Sequence, residues 1–269
     1  MQVINVNNVS VVDGNNIILR DISFDVDMGT FVSIIGKNGS GKSTLIKLLA
    51  GFLRYSGYID INGYFLDDIG IRDIRKVASV VFDNMNEELL GNTVWECLAM
   101  NLINLGKSEN YIKNRLGEVC SLFGIDKDLL NKKMILLDNS LRQKILIASA
   151  IMSRPSILFL DDCLSLLSGR DKHQVIGILK KLCIKDKMTV LMVTNNVEDV
   201  LESNEVIVLD NGEIMFKGNV KNIFRDIKKI SKYNFDLPLI VELSIKLIDE
   251  GIINNIYLDD KKLVGALWK

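Results

Sequence analysis

Residues 31–44 read FVSIIGKNGSGKST, and this stretch decides the fold. An apolar run, Phe31–Ile35, leads into Gly36-x-x-x-x-Gly41-Lys42-Ser43, and helix-forming residues follow. A strand, a glycine-rich loop and a helix in that order make a phosphate-binding P-loop. The glycines let backbone N–H groups turn inward around phosphate oxygens, and the helix start adds partial positive charge. Gly36, Lys37, Asn38, Gly39, Ser40, Gly41, Lys42, Ser43 and Thr44 are therefore the candidate nucleotide-binding residues. Lys42 is the residue to reach the β- and γ-phosphates, and the Ser43 hydroxyl is a ligand for Mg²⁺.

A P-loop needs a carboxylate from a neighbouring strand to complete its Mg²⁺ site. The apolar run Ile157–Leu160 ends in Asp161, followed at once by Asp162. A single aspartate there would read as a strand end; two together point to a site. Asp161 is the metal-ligand candidate and Asp162 the candidate for activating water.

Outward from the loop, short Val- and Ile-rich runs recur at Val3–Val6, Ile17–Leu19, Ile22–Val26 and Tyr58–Ile61. Their alternation with polar residues predicts strands of a partly antiparallel sheet. Buried parallel-type strands are expected at Val77–Phe82, Ile157–Leu160, Thr189–Val193 and Glu205–Leu209. Helices are expected at Lys42–Leu53, Thr93–Leu105, Glu109–Phe123 and Leu141–Met152. Strands alternating with helices argue for an α/β fold. Pro155 ends the helix before a strand, and a break at Asp236-Leu237-Pro238 divides a helical tail. The expected division is a domain over 1–222, with a helical subdomain at about 87–152, and a docked C-terminal helical extension over 223–269.

Composition limits the functions open to the chain. Of its 269 residues 48% are hydrophobic, enough for a packed core. Thirty-three Lys and Arg against 34 Asp and Glu leave a net charge of -1, so no nucleic-acid footprint is expected. Cys97, Cys120, Cys163 and Cys183 match no zinc spacing and read as reduced, buried thiols. No signal sequence and no stretch of roughly 20 apolar residues is seen. The expectation is a cytoplasmic protein whose membrane role, if any, comes through a partner.

The order of motifs resembles an ABC-type ATPase subunit: GKNGSGKST, FDNMNEELLGNTV, SLRQKILIASAIMSRPSILFLDD, LMVTNN and VLDNGEI. Within that superfamily the chain looks most like the ATP-binding subunit of energy-coupling factor importers. VVFDNMNEELLGNTVWE resembles that group's FQNPDNQ-x-x-x-x-TV segment, and SKYNFDLPLIVELSIKLIDEGI with KKLVGAL resembles its C-terminal helices. The resemblance implies a P-loop nucleotide-binding domain with a mixed sheet core, an antiparallel β subdomain and a helical subdomain. It implies Mg·ATP as ligand, a second ATPase subunit paired head to tail as homo- or heterodimer, and integral membrane subunits. It also implies a seat on the inner face of the cell membrane.

Against the family's motifs, the chain departs at most catalytic positions outside the P-loop. Asp83 stands for the Q-loop glutamine and remains a competent Mg²⁺ ligand. Asp162 stands for the catalytic glutamate, Cys163 for the proline after it, Ser168 for the D-loop aspartate and Asn195 for the switch histidine. The only histidine, His173, reads as a solvated helical residue. The signature falls on Leu137-Asp138-Asn139-Ser140-Leu141 without gaps; sliding Ser140-Leu141-Arg142-Gln143 onto it needs a deletion of about half a helical turn. No aromatic residue stands near Val11–Asp13 to stack on adenine. Asp162 is one methylene shorter than glutamate and falls about 1.5 Å short. A misplacement of that order costs roughly 10²-fold. Asn195 offers no titrating proton.

These residues predict retained binding and damaged hydrolysis in a transporter subunit. A fully active ATPase using shifted residues and a non-catalytic, nucleotide-gated interaction protein are the alternatives. A docking surface for a membrane partner is expected at Asn84–Trp95, through Leu89, Leu90 and Trp95, although the same residues could simply fill the helical core.

Overall fold

The computed structural model describes residues 1–82, 91–225 and 237–268. Strands β1 (Gln2–Asp13) and β2 (Asn16–Asp27) pair antiparallel, and β1 also pairs with β4 (Ser56–Ile61), which carries the short β5 (Tyr64–Phe65) at its edge. Two expected short runs, Ile17–Leu19 and Ile22–Val26, are one strand. The intervening Asp21 takes φ 50, and in β1 Asn8 takes φ 47 beside register shifts. Asp and Asn tolerate this left-handed region, so the strands bulge and continue where the pattern suggested a break.

The second sheet has the order β10-β9-β3-β8-β7-β6. It comprises β3 (Phe31–Gly36), β6 (Ala78–Phe82), β7 (Ile157–Asp161), β8 (Thr189–Val193), β9 (Glu205–Asp210) and β10 (Glu213–Asn219). All neighbours are parallel except β9 with β10. Every residue of β3, β7 and β8 is buried, as both-faced burial of a parallel sheet requires.

Helix α1 (Lys42–Leu49) stops four residues before the expected Leu53. Gly51 at φ 75 receives the chain, and Phe52 N–H donates to the Lys47 carbonyl at 2.9 Å, closing a Schellman end. After α2 (Ile71–Val77), α3 (Val94–Asn104) opens with a Thr93–Glu96 capping box, and α4 (Glu109–Phe123) runs from Ser108 to Gly124 at φ 62. Helix α5 (Asn139–Ile151) starts two residues before the expected Leu141, because Asp138 caps it by accepting from Leu141 N–H at 2.9 Å. Helix α6 (Gly169–Asp186) and the one-turn α7 (Val197–Val200) follow.

Helices α3, α4, α5 and α6 pack against one face of the parallel sheet. The antiparallel sheet and α1 cover the other face. Helix α8 (Val220–Arg225) crosses residue 222 and buries Val220, Ile223 and Phe224 with Val206, Val208 and Val241. Val241 belongs to α9 (Leu239–Asp249), which opens after Pro238; α10 (Asp260–Leu267) completes the described chain. The tail thus docks on the β9 side of the sheet.

Candidate functional site

The C-terminal ends of β3, β7 and β8 lie side by side, since Val193 faces both Ile34 and Asp161 in the register. The chain leaves β3 into the P-loop, β7 into Asp162 and β8 into Asn195. A cavity of about 730 Å³ opens there, lined by Gly39, Lys42, Ser43, Asp161, Asp162 and Asn195 among others. Gly39 at φ 80 and Gly41 at φ 99 hold the loop in a conformation that disfavours side chains. At Gly36 a Cβ would fall 2.3 Å from the Leu209 carbonyl oxygen.

Lys42 Nζ donates to the Gly36 and Lys37 carbonyls at 2.8 and 2.9 Å, folding over the loop. Burial pushes its pKa down, opposed by the charges of Asp162 and Asp161. Ser43 Oγ donates to Asp161 Oδ1 at 2.8 Å, with Asp161 only 6% exposed. The first turn of α1 has no side-chain cap, leaving its N–H groups directed at the loop. The Ser40 hydroxyl, 3% exposed, has no hydrogen-bond partner.

Asp162 adopts φ 50, and its N–H donates to the Val193 carbonyl at 3.0 Å. Its Oδ2 accepts from Asn195 Nδ2 at 3.0 Å. Cys163 is buried, its thiol donating to the Val81 carbonyl at 3.1 Å. The structure thus brings together Asp161, Asp162, Asn195 and the P-loop residues named from sequence. Asp83, named as a further metal ligand, lies outside the described residues, as do Leu89 and Leu90. Where an adenine-stacking aromatic was missed, the half-buried Ile18 of β2 lines the cavity, with Phe82 also at its wall. The alternation of β2 carried a signal for Ile18; nothing local marked Phe82.

Asp138 is exposed at the start of α5, whereas Ser140 turns inward and donates to Asp171 Oδ2 at 2.7 Å. His173 is exposed on α6, as expected. All four cysteines are buried; burial pushes Cys97 up to about 11 and Cys183 up to about 12.

A buried parallel sheet with a P-loop after one strand and paired carboxylates after another defines a P-loop nucleotide-binding domain. The family described as ABC transporter matches residues 19–165. Among the curated relatives, the energy-coupling factor transporter ATP-binding protein EcfA2 of Caldanaerobacter subterraneus subsp. tengcongensis is 35% identical, covering 87% of this chain and 83% of its own. EcfA1 of Fusobacterium nucleatum is 36% identical over 97% of this chain and 94% of its own. The structure of cbiO1 from Clostridium perfringens, part of the ABC transporter complex cbiONQ, superposes with TM-score 0.75 at 24% identity, covering 90% of this chain and 98% of that one. A dimeric, post-hydrolysis structure of the cassette MJ0796 bound to ADP and phosphate gives TM-score 0.73 at 26% identity, covering 81% and 98%. The chain belongs to the ABC transporter family and, within it, to the energy-coupling factor transporter ATP-binding proteins.

Proposed function

We propose that this chain is the ATP-binding subunit of an energy-coupling-factor importer, peripheral on the inner face of the cell membrane, that takes Mg·ATP and turns it over weakly. The contact from Ser43 Oγ to Asp161 Oδ1, 2.8 Å, carries the reading. It pairs the P-loop hydroxyl with a strand-end carboxylate, the donor set that holds Mg²⁺ in P-loop proteins. The unpartnered Ser40 hydroxyl and the uncapped start of α1 fit a phosphate as the missing partner. Ser43 and Asp161, with Asp83 as a third ligand, would hold the metal, and Lys42 the terminal phosphates. When bound, Mg²⁺ neutralises charge on the triphosphate.

Weak turnover is argued from Asp162 and Asn195. The Asp162 carboxylate is tied to a neutral amide, which donates a hydrogen bond but supplies no charge. No protonated group at position 195 then steadies negative charge.

The partners proposed are a second ATPase subunit, identical or not, and integral membrane subunits, with no nucleic acid. Among the described residues no helix is long and apolar enough to cross a membrane. A largely apolar cavity of about 410 Å³ lies between β6, α2, α3 and α5, lined by Phe52, Arg75, Met100, Leu105 and Leu146 among others. It would take a short helix of the membrane subunit. Trp95, placed in the docking surface from sequence, is not among its lining residues.

Steady-state hydrolysis by the purified chain, alone and with its partner subunits, tests the proposal. The expected rate lies well below about 1 s⁻¹, the low end of the usual enzyme range. A faster rate that Asp162→Ala abolishes would make Asp162 a working base. Failure to co-purify with any integral membrane protein would remove the importer role.

A further inference from the structure

Asp171 and Lys172 are consecutive residues in the first turn of α6, yet they belong to two different sets of contacts. Asp171 Oδ2 accepts from Ser140 Oγ at 2.7 Å and from Ser168 Oγ at 2.9 Å, and Oδ1 accepts from Lys144 Nζ at 3.0 Å. Ser140 and Lys144 lie on α5, so this side fastens α6 to the helical layer. Lys172 Nζ instead pairs with Asp199 Oδ1 at 2.5 Å. Asp199 is 3% exposed, and its other oxygen accepts from Thr194 Oγ1 at 2.8 Å. Next along the chain is Asn195, whose amide donates to Asp162 Oδ2 at 3.0 Å. Polar contacts, bridged along the backbone at Thr194–Asn195 and at Asp171–Lys172, therefore join the phosphate-loop cavity to the start of α5.

We propose that Lys172 and Asp171 are positioning residues that transmit occupancy of the cavity to α5. The proposal rests on reading that cavity as a nucleotide site. An anionic ligand competes with Asp162 for the Asn195 amide, and moving Asn195 moves Thr194 beside it. Asp199 is too buried to exchange Lys172 for water, so the ion pair shifts as a unit. Adjacent Cα atoms are held about 3.8 Å apart, so displacement of Lys172 carries Asp171 and its grip on Ser140. Ligand in the cavity thereby shifts the start of α5 through its Ser140 contact.

Hydrogen exchange of the 139–147 amides, with calorimetric binding of the non-hydrolysable analogue AMP-PNP and Mg²⁺ on the same samples, tests this. In the wild type the analogue should slow exchange there at least about fivefold, the low end of ordinary coupling between sites. Lys172→Met combined with Asp199→Asn removes the pair without stranding a charge. That variant should bind the analogue within about threefold of wild type while its α5 response falls below about twofold, and Lys172→Arg should keep the response. A wild-type response in the double variant, or none in the wild type despite bound analogue, overturns the proposal. No binding to the wild type refutes instead the nucleotide-site reading, and the proposal with it.

Discussion

Lys42 is held by two loop carbonyls and flanked by Asp161 and Asp162, so it is poised over the loop before any ligand arrives. Replacing it with alanine deletes a charge-assisted contact worth about 1.5–3 kcal/mol, a loss of roughly 10- to 150-fold in ATP affinity. Titration of ATP against wild type and Lys42→Ala measures it, and equal affinities would end the nucleotide reading. Asp162 presents a subtler problem. Its backbone sits at φ 50, where Asp is better tolerated than longer side chains, and its carboxylate is engaged by Asn195. Asp162→Glu alone should therefore restore little turnover. Combined with Asn195→His and Asp83→Gln it should gain more than the product of the single repairs, because groups acting as a unit are strongly non-additive. A multiplicative result, measured beside a partner that supplies an intact signature, would mean that the positions act independently.

At the scale of elements, local patterning reported what local energetics decide. The buried strands β3, β7 and β8 and the capped helices α3 and α4 stood in the sequence within about a residue. The merging of two runs into β2 did not, because it depends on Asp21 accepting a left-handed backbone that period-two alternation does not encode. Nor did the α5–α6 junction, whose partners Ser140 and Asp171 are 31 residues apart. There Asp171 is held down to about 2 from 3.8, first by the Ser140 hydroxyl, then by Lys144 and Ser168, against the opposing effect of burial. A depressed carboxylate contributes stability above its unfolded value, and that contribution is lost as pH falls from about 4 through about 2. Asp171→Asn should cost about 2 kcal/mol at pH 7, and the gap should narrow between pH 4 and 2. Urea unfolding at pH 7, 4 and 3 reads it; a constant gap would mean that the charge is not what holds the junction.

At the scale of the molecule, the cavity over the P-loop and the groove beside α3 are separate openings, the first at the C-terminal ends of β6, β7 and β8 and the second along β6. The groove is walled by the sheet's β6 side on one flank and by the helical layer on the other, so anything seated in it touches both. Phe52, edge-on to Phe82 at 5.7 Å between ring centroids, links its wall to the cavity's. Leu105 closes α3 at the rim, and both it and Phe52 are exposed, so neither is needed to fill the core. Charged replacements there should leave the fold and ATP binding intact, since exposed positions change stability little. An apolar helix docked in the groove would, however, have to bury the new charge, which is strongly unfavourable without a partner. Phe52→Glu and Leu105→Glu should therefore abolish recruitment to membranes containing the partner subunit while ATP affinity stays within about twofold. Flotation of the two variants with partner-containing vesicles, alongside nucleotide titration, separates the outcomes. Undiminished flotation would place the docking surface elsewhere, at the Leu89 and Leu90 named from sequence.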